Sequence, residues 1–135
     1  MRLLLDINVI LDVLLVREPW IRDAGRLLSA VEEGRAEGYV AGHTITTIHY
    51  LVAREKGRQL ATRAVTDILR ISQVVPVTSD GFQRALLSGI EDFEDAVQAE
   101  AALQIAADYL VTRNAKDFRK ASVEVRTPAE VLAIL

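Results

Sequence analysis

The sequence predicts an α/β fold three layers deep, with helices on both faces of a central parallel sheet of four to five strands. Three observations predict it. Short apolar runs alternate with longer segments of helical periodicity along nearly the whole chain, and parallel neighbours need a crossover long enough to hold a helix. The chain has 135 residues, 50% of them hydrophobic, which suits a single domain spanning residues 1–135 with a sizeable core. Acids also recur just beyond the apolar runs: Asp6 after Met1–Leu5, Asp92 and Asp95 at a helix start, and Asn114 and Asp117 after Tyr109–Val111. Loops at one edge of a parallel sheet gather such positions, and oxygen ligands suit a hard divalent cation, magnesium or manganese.

Each element has its own signal. Arg2–Leu5 is a short apolar strand, and Asn8 reads as the cap of a helix from Val9 to Val16. After Pro19, Ile21, Ala24, Leu27, Leu28 and Val31 recur at helical spacing until Gly34 stops them. Gly38–Gly42 is a buried strand, and His43 opens a helix that ends at Gly57. A fourth helix runs from Arg58 to about Ser72, and Val74–Val77 is a strand whose Pro76 marks an end or an edge. Ser79–Ser88 forms a short helix, and Phe93–Ala107 a long alanine-rich one capped by Asp92. Tyr109–Thr112 is a strand and Val123–Val125 a weaker one. Thr127-Pro128-Ala129-Glu130 starts the last helix with a capping box.

Composition excludes several function classes. The longest apolar stretch, Val9–Val16, contains Asp12 and is far short of the ~20 residues that span a bilayer. The N-terminus has no signal-peptide pattern, so the expected location is the cytoplasm. There are no cysteines, and only two histidines, His43 and His49, so any metal is bound by oxygen. A net charge of −3 argues against a broad duplex-DNA footprint. Local cations remain to meet phosphate: Arg17, Arg22, Arg26, Arg113, Lys116, Arg119 and Lys120.

The acids differ in how well local structure explains them. Asp92 and Asp95 suit the positive end of a helix, and Asn114 and Asp117 suit a turn. Asp6 resists such an account, because a carboxylate directly after a buried strand gains nothing from burial. Asn8 reads as a helix cap rather than a ligand, and Asp12 as the partner of a nearby arginine.

Leu5-Asp6-Ile7-Asn8-Val9-Ile10-Leu11-Asp12, Asp92-Phe93-Glu94-Asp95-Ala96-Val97-Gln98 and Val111-Thr112-Arg113-Asn114-Ala115-Lys116-Asp117-Phe118 together resemble the motifs of the PIN-domain family, in order and over nearly the whole chain. The resemblance implies a magnesium- or manganese-dependent ribonuclease, most like the VapC-type toxins of bacterial toxin–antitoxin pairs. It also implies homodimers blocked by a small antitoxin, with apolar helices between Trp20 and Leu69 as candidate surfaces. Asp6, Asp95 and Asp117 match family acids, and Asn114 matches a position that is often Asp or Asn.

The chain departs from the family at Thr47, where a glutamate is expected. That leaves Asp92 or Glu94 to compensate, and it opens a second reading as a catalytically weak or inactive module that binds RNA or protein. A third reading, a phospho-acceptor receiver domain, ranks last because the strands lack its Asp and Lys. In the first reading Asp6 and Asp95 bind metal directly, helped by Asp92. Asp117 binds a second ion or orients water, and Asn114 donates a hydrogen bond. Single-stranded RNA is the expected substrate, and 5% aromatic content leaves few platforms for reading its bases.

Overall fold

Successive strand residues point to opposite faces of a sheet, and here that alternation divides the core in two. The computed structural model describes residues 1–135. Its strands are β1 (Arg2–Leu5), β2 (Glu37–Ala41), β3 (Gln73–Val75), β4 (Tyr109–Val111) and β5 (Val125–Arg126). All pair in parallel, in the order β3-β2-β1-β4-β5. Leu3, Leu5, Val40 and Val111 pack against α1 (Ile7–Leu14), α2 (Ile21–Glu32), α3 (Gly42–Lys56), α4 (Arg58–Ile71) and α7 (Pro128–Leu132). Leu4, Tyr39, Ala41 and Leu110 pack on the other face against α5 (Ser79–Leu87), α6 (Phe93–Gln104) and a 3-10 turn, Ala115–Phe118. The expected three layers are therefore present, with five strands.

β1 lies between β2 and β4, and Leu3, Leu4 and Leu5 are at most 1% exposed. Burying each contributes about 1.5–3 kcal/mol. Gly38 lets α2 lie close over β2, because a Cβ there would sit 2.7 Å from Val31 Cγ1. β3 is an edge strand that stops before Pro76, as its sequence suggested. β3 pairs with β2, whereas a receiver domain places it next to β1, so the receiver reading is excluded. No helix is long and apolar enough to cross a membrane.

Helix ends account for most departures from the sequence reading. α2 closes with Gly34 at φ 78°, where Gly34 N–H bonds Val31 O and Arg35 N–H bonds Ala30 O. Such a closure favours glycine because its left-handed residue needs no Cβ clearance. α1 closes the same way on Val16 (φ 54°), with Val16 N–H to Val13 O and Arg17 N–H to Asp12 O. α6 repeats the closure on Ala106 (φ 50°), with Ala106 N–H to Leu103 O and Ala107 N–H to Ala102 O. Neither site carries a glycine stop signal, so both helices end earlier than expected, at Leu14 and Gln104. Asn8 is a further correction. α1 starts at Ile7 with Asp6 as its cap residue, and Asn8 lies inside the first turn. At the far end the capping box of Thr127 and Glu130 forms as expected.

Ala106 is exposed, so its left-handed backbone can be relieved without loss of packing. Ala106→Gly is expected to raise unfolding free energy by about 1 kcal/mol, seen as a higher urea midpoint at unchanged slope. A lower midpoint would mean that the extra freedom of the unfolded chain outweighs the strain.

Candidate active site

The strand order reverses between β1 and β4, and in open parallel sheets the crevice for ligands lies beyond the carboxyl ends of such a pair. Asp6 follows β1 directly, and its N–H continues the ladder to Val111 O at 2.9 Å. Its side chain is 1% exposed on the α6 side of the sheet. Oδ1 accepts from Gln98 Nε2 at 2.9 Å, and Oδ2 accepts from Thr112 Oγ1 at 2.8 Å. Gln98 is itself fully buried. It also donates to Asp95 Oδ1 at 3.4 Å, while its Oε1 accepts the Ile7 N–H at 3.0 Å. One amide thus ties the start of α1 to both acids. Thr112 Oγ1 accepts from Asn114 N–H at 3.0 Å, which fixes the exit of β4.

Asp92 caps α6 as expected, its Oδ1 accepting the Asp95 N–H at 2.9 Å. The cap holds Asp95 in the first helical turn, beside the Asp6 network. Asp95 is pushed up to about 7 by burial first, then by the charges of Asp92, Asp6, Asp117 and Glu94. Burial also raises Asp6, against the hydrogen bonds from Gln98 and Thr112 that stabilise its charge. Asp92, Asp95 and Asp117 line an open cleft of about 590 Å³, together with Gly89, Ile90, Glu91, Lys116, Arg119 and Lys120. None of Asp6, Asp92, Glu94, Asp95 or Asp117 is ion-paired, and neither are Lys116, Arg119 and Lys120. The cleft therefore presents unneutralised charge of both signs.

The donor set matches a hard divalent cation in type and charge: it is oxygen only, and its mutual repulsion adds to the burial that raises Asp95. Its spacing is looser than a closed coordination shell, and no three acidic or histidine side chains converge closely enough to hold one ion. Asn114 is half-buried, precedes the 3-10 turn, and its side chain makes no hydrogen bond within the chain.

Thr47 stands across from α6, its hydroxyl 3.5 Å from Glu94 Oε2. His43 donates through Nε2 to Glu94 O at 3.1 Å, so it serves as a brace for the first turn of α6. Burial lowers its pKa, and its Nδ1 has no partner, consistent with a neutral ring. His49 joins α3 to α4 through Thr62 at 3.4 Å. Asp12 is fully engaged by arginines, as its sequence position suggested: Arg113 Nε at 2.7 Å and Arg17 Nη1 at 3.7 Å. Gln98 and Thr112 were missed as site residues. The one available signal was a polar side chain inside an otherwise apolar stripe, Ala96-Val97-Gln98-Ala99, or at the end of an apolar strand.

The PIN domain family model matches residues 2–116. No curated protein matches the sequence. In fold the chain is similar to FitAcB from Neisseria gonorrhoeae, with TM-score 0.71 and 21% identity over 94% of this chain and 98% of that one. It is similar to VapBC-1 from nontypeable Haemophilus influenzae, with TM-score 0.71 and 15% identity over 96% and 99%. It also resembles Mycobacterium tuberculosis VapC20, a sarcin–ricin loop cleaving toxin, with TM-score 0.66 and 16% identity over 80% and 86%.

Two outcomes follow from the Asp6–Gln98–Asp95 arrangement. Gln98→Leu strands a buried carboxylate oxygen and the Ile7 N–H, and is expected to cost about 1.5–3 kcal/mol by urea denaturation. The raised Asp95 sets a pH dependence. The folded form keeps its proton up to about 7, whereas the unfolded form loses it near the ordinary carboxylate value of 3.8. The folded state therefore binds more protons between those values, and stability falls as pH rises through that window. Denaturation in EDTA across this range is expected to show that fall, and Asp95→Asn to flatten it.

Proposed function

The chain belongs to the PIN-domain family, and from that premise we propose that it is a cytoplasmic Mg²⁺- or Mn²⁺-dependent endoribonuclease that hydrolyses single-stranded RNA as the toxin of a toxin–antitoxin pair. The observation that carries the reading is the cleft's divided charge, with unpaired acids beside unpaired Lys116, Arg119 and Lys120. A phosphodiester needs both, cations for its nonbridging oxygens and acids to hold a metal or a water.

A cation here would take oxygens from among Asp6, Asp95 and Asp117, with Asp92 as a further carboxylate, and would complete its shell with water, since no three of these acids converge on one point. When bound, such a cation supplies Lewis-acid stabilisation of the phosphate and lowers the pKa of an attacking water. The chain's own residues do the rest. Gln98 and Thr112 orient Asp6 through its two oxygens, as supporting hydrogen bonds orient metal ligands generally. Asp117, exposed at the cleft wall, is placed to orient the water, and Asn114 has a free amide to donate to phosphate or to a ligand carboxylate. Lys116, Arg119 and Lys120 bind the flanking phosphates. The strand must be single because its backbone has to enter an open crevice at the sheet edge.

The proposed partners are a small antitoxin and a second copy of the chain. Exposed apolar side chains are available for such contacts on α3 and α4 (Tyr50, Leu60, Leu69) and along α5 (Phe82, Leu86, Leu87). Structures similar to this chain include VapBC2 from Rickettsia felis bound to a fragment of promoter DNA and DNA-bound VapBC from Salmonella typhimurium, which supports an antitoxin here.

A second reading, an RNA- or protein-binding module without turnover, is favoured by two specific observations. Thr47 supplies a hydroxyl where the family has an acid, and no three acids converge. RNA cleavage assays separate the two. Under the first reading the wild type cuts single-stranded RNA with Mg²⁺ and not with EDTA, and Asp95→Asn lowers kcat by about a hundredfold or more. Mn²⁺ is also expected to raise the thermal midpoint of the wild type and leave that of Asp95→Asn unmoved. Tight RNA binding with no turnover in any divalent cation would establish the second reading instead.

A further inference from the structure

We infer that the loop between α1 and α2 carries a nucleotide-binding subsite, in which the Trp20 ring stacks on an unpaired base and Arg17 meets the adjoining phosphate. The inference rests on the ribonuclease reading and assigns that enzyme a contact for the RNA strand on the opposite face of the sheet from its acids.

The observations begin at the end of β4. Thr112 points to the α6 face, where it holds Asp6. Arg113 is the next residue, so strand alternation sends it to the α1 face. There Asp12, 1% exposed, takes its guanidinium on two oxygens, Nε to Oδ2 at 2.7 Å and Nη2 to Oδ1 at 3.3 Å. The pinned guanidinium lies 3.7 Å from the centroid of the Trp20 ring. A cation against an aromatic face at that distance is a favourable stack. It orients the indole, yet Trp20 stays 42% exposed. A large aromatic side chain that is held firmly and left open at the surface has the properties of a stacking platform.

The two guanidiniums around it are unequally held. Arg17 approaches the same carboxylate, Nη1 at 3.7 Å from Asp12 Oδ1, and touches Asn8 Oδ1 at 3.3 Å. One aspartate thus faces two guanidiniums, and Asp12 is already engaged by the shorter bonds of Arg113. Glu18 is exposed and pairs with neither arginine. Arg17, held only by the longer contacts, therefore stands beside the indole as the less committed cation, which is the pairing that single-stranded nucleic acid recognises: a base-stacking surface with a cation for the backbone.

Position connects the subsite to the cleft. Asn8 is two residues past Asp6, and Arg113 lies between Thr112 and Asn114. The subsite and the acidic cleft therefore flank the carboxyl edge of β1 and β4 from opposite sides. A strand crossing that edge would pass Lys116, Arg119 and Lys120 on one side and Arg17 and Trp20 on the other.

Trp20 is the only tryptophan, so its emission reports on this site alone. The test titrates the full-length protein with a short single-stranded RNA in EDTA, which prevents metal-assisted cleavage. It follows tryptophan fluorescence and, with labelled RNA, anisotropy. The expected result is saturable quenching whose midpoint matches the anisotropy curve. Trp20→Leu should weaken binding by about five- to a hundredfold, and Trp20→Phe by much less. Arg17→Gln should reduce the slope of log affinity against log salt by about 0.7. In cleavage assays with Mg²⁺, Trp20→Leu should raise KM and spare kcat. RNA binding by anisotropy with unchanged Trp20 emission overturns the subsite and leaves the ribonuclease reading intact. Absence of RNA binding by the wild type in EDTA, with no cleavage in Mg²⁺ or Mn²⁺, overturns both, whereas cleavage in Mg²⁺ or Mn²⁺ without binding in EDTA overturns the subsite alone. The wild-type quenching needs no variant, so a folding defect in Trp20→Leu does not blunt the test.

Discussion

The carboxylate of Asp6 is the constraint around which the molecule is arranged. It lies at the end of the central strand with almost no access to water, and a buried carboxylate is tolerable only when its oxygens are hydrogen-bonded. Gln98 comes from α6 and Thr112 from the end of β4, so satisfying one side chain fixes three chain segments relative to one another. The Gln98 amide is fully used, with donors to two acids and its oxygen on the Ile7 N–H. A shift of α6 along the sheet would break all of these at once. The hydrophobic layers provide most of the stabilising burial, but they would tolerate small sliding that this polar knot does not.

That knot also explains the electrostatics of the cleft. Placing α6 by Gln98 brings Asp95 close to Asp6, and the Asp92 cap sets Asp95 within the first turn. Burial first, and then the repulsion among these acids, raise the pKa of Asp95. Such an arrangement is unfavourable to the isolated fold and is relieved by a proton or a cation. It is the expected profile of a site whose geometry serves a ligand at some expense of stability.

Much of this was legible in the sequence, for identifiable reasons. Alternation of apolar runs with helical periodicity revealed the parallel α/β architecture, because both signals repeat through the chain. Asp92, Thr127 and Glu130 could be read as caps, since capping depends on residues within one turn of each other. The ends of α1 and α6 could not, because Val16 and Ala106 adopt a left-handed conformation that their side chains disfavour. Asn8 was misplaced for a related reason: Asp6, the end of the strand, doubles as the start of the helix, so no connecting residue remains for Asn8 to cap. The acids Asp92, Asp95 and Asp117 were recognisable as a group from their spacing beyond apolar runs. Gln98 and Thr112 were not, because their importance lies in partners more than ninety residues away. Local sequence contains nothing of that separation.

The same separation governs when the protein takes shape. β1 is the first strand to be synthesised, yet its neighbour on one side is β4, and Asp6 waits for Thr112, 106 residues later. Contacts so distant in sequence close slowly, since a long loop must be ordered before they form. During synthesis β1 can pair early with β2, while the side that bears the acid stays unpartnered until β4 and Thr112 have been made. The cleft is thus among the last parts of the molecule to come into being. For a protein proposed to cut RNA, this delay means that a chain made only as far as α6 lacks the assembled site.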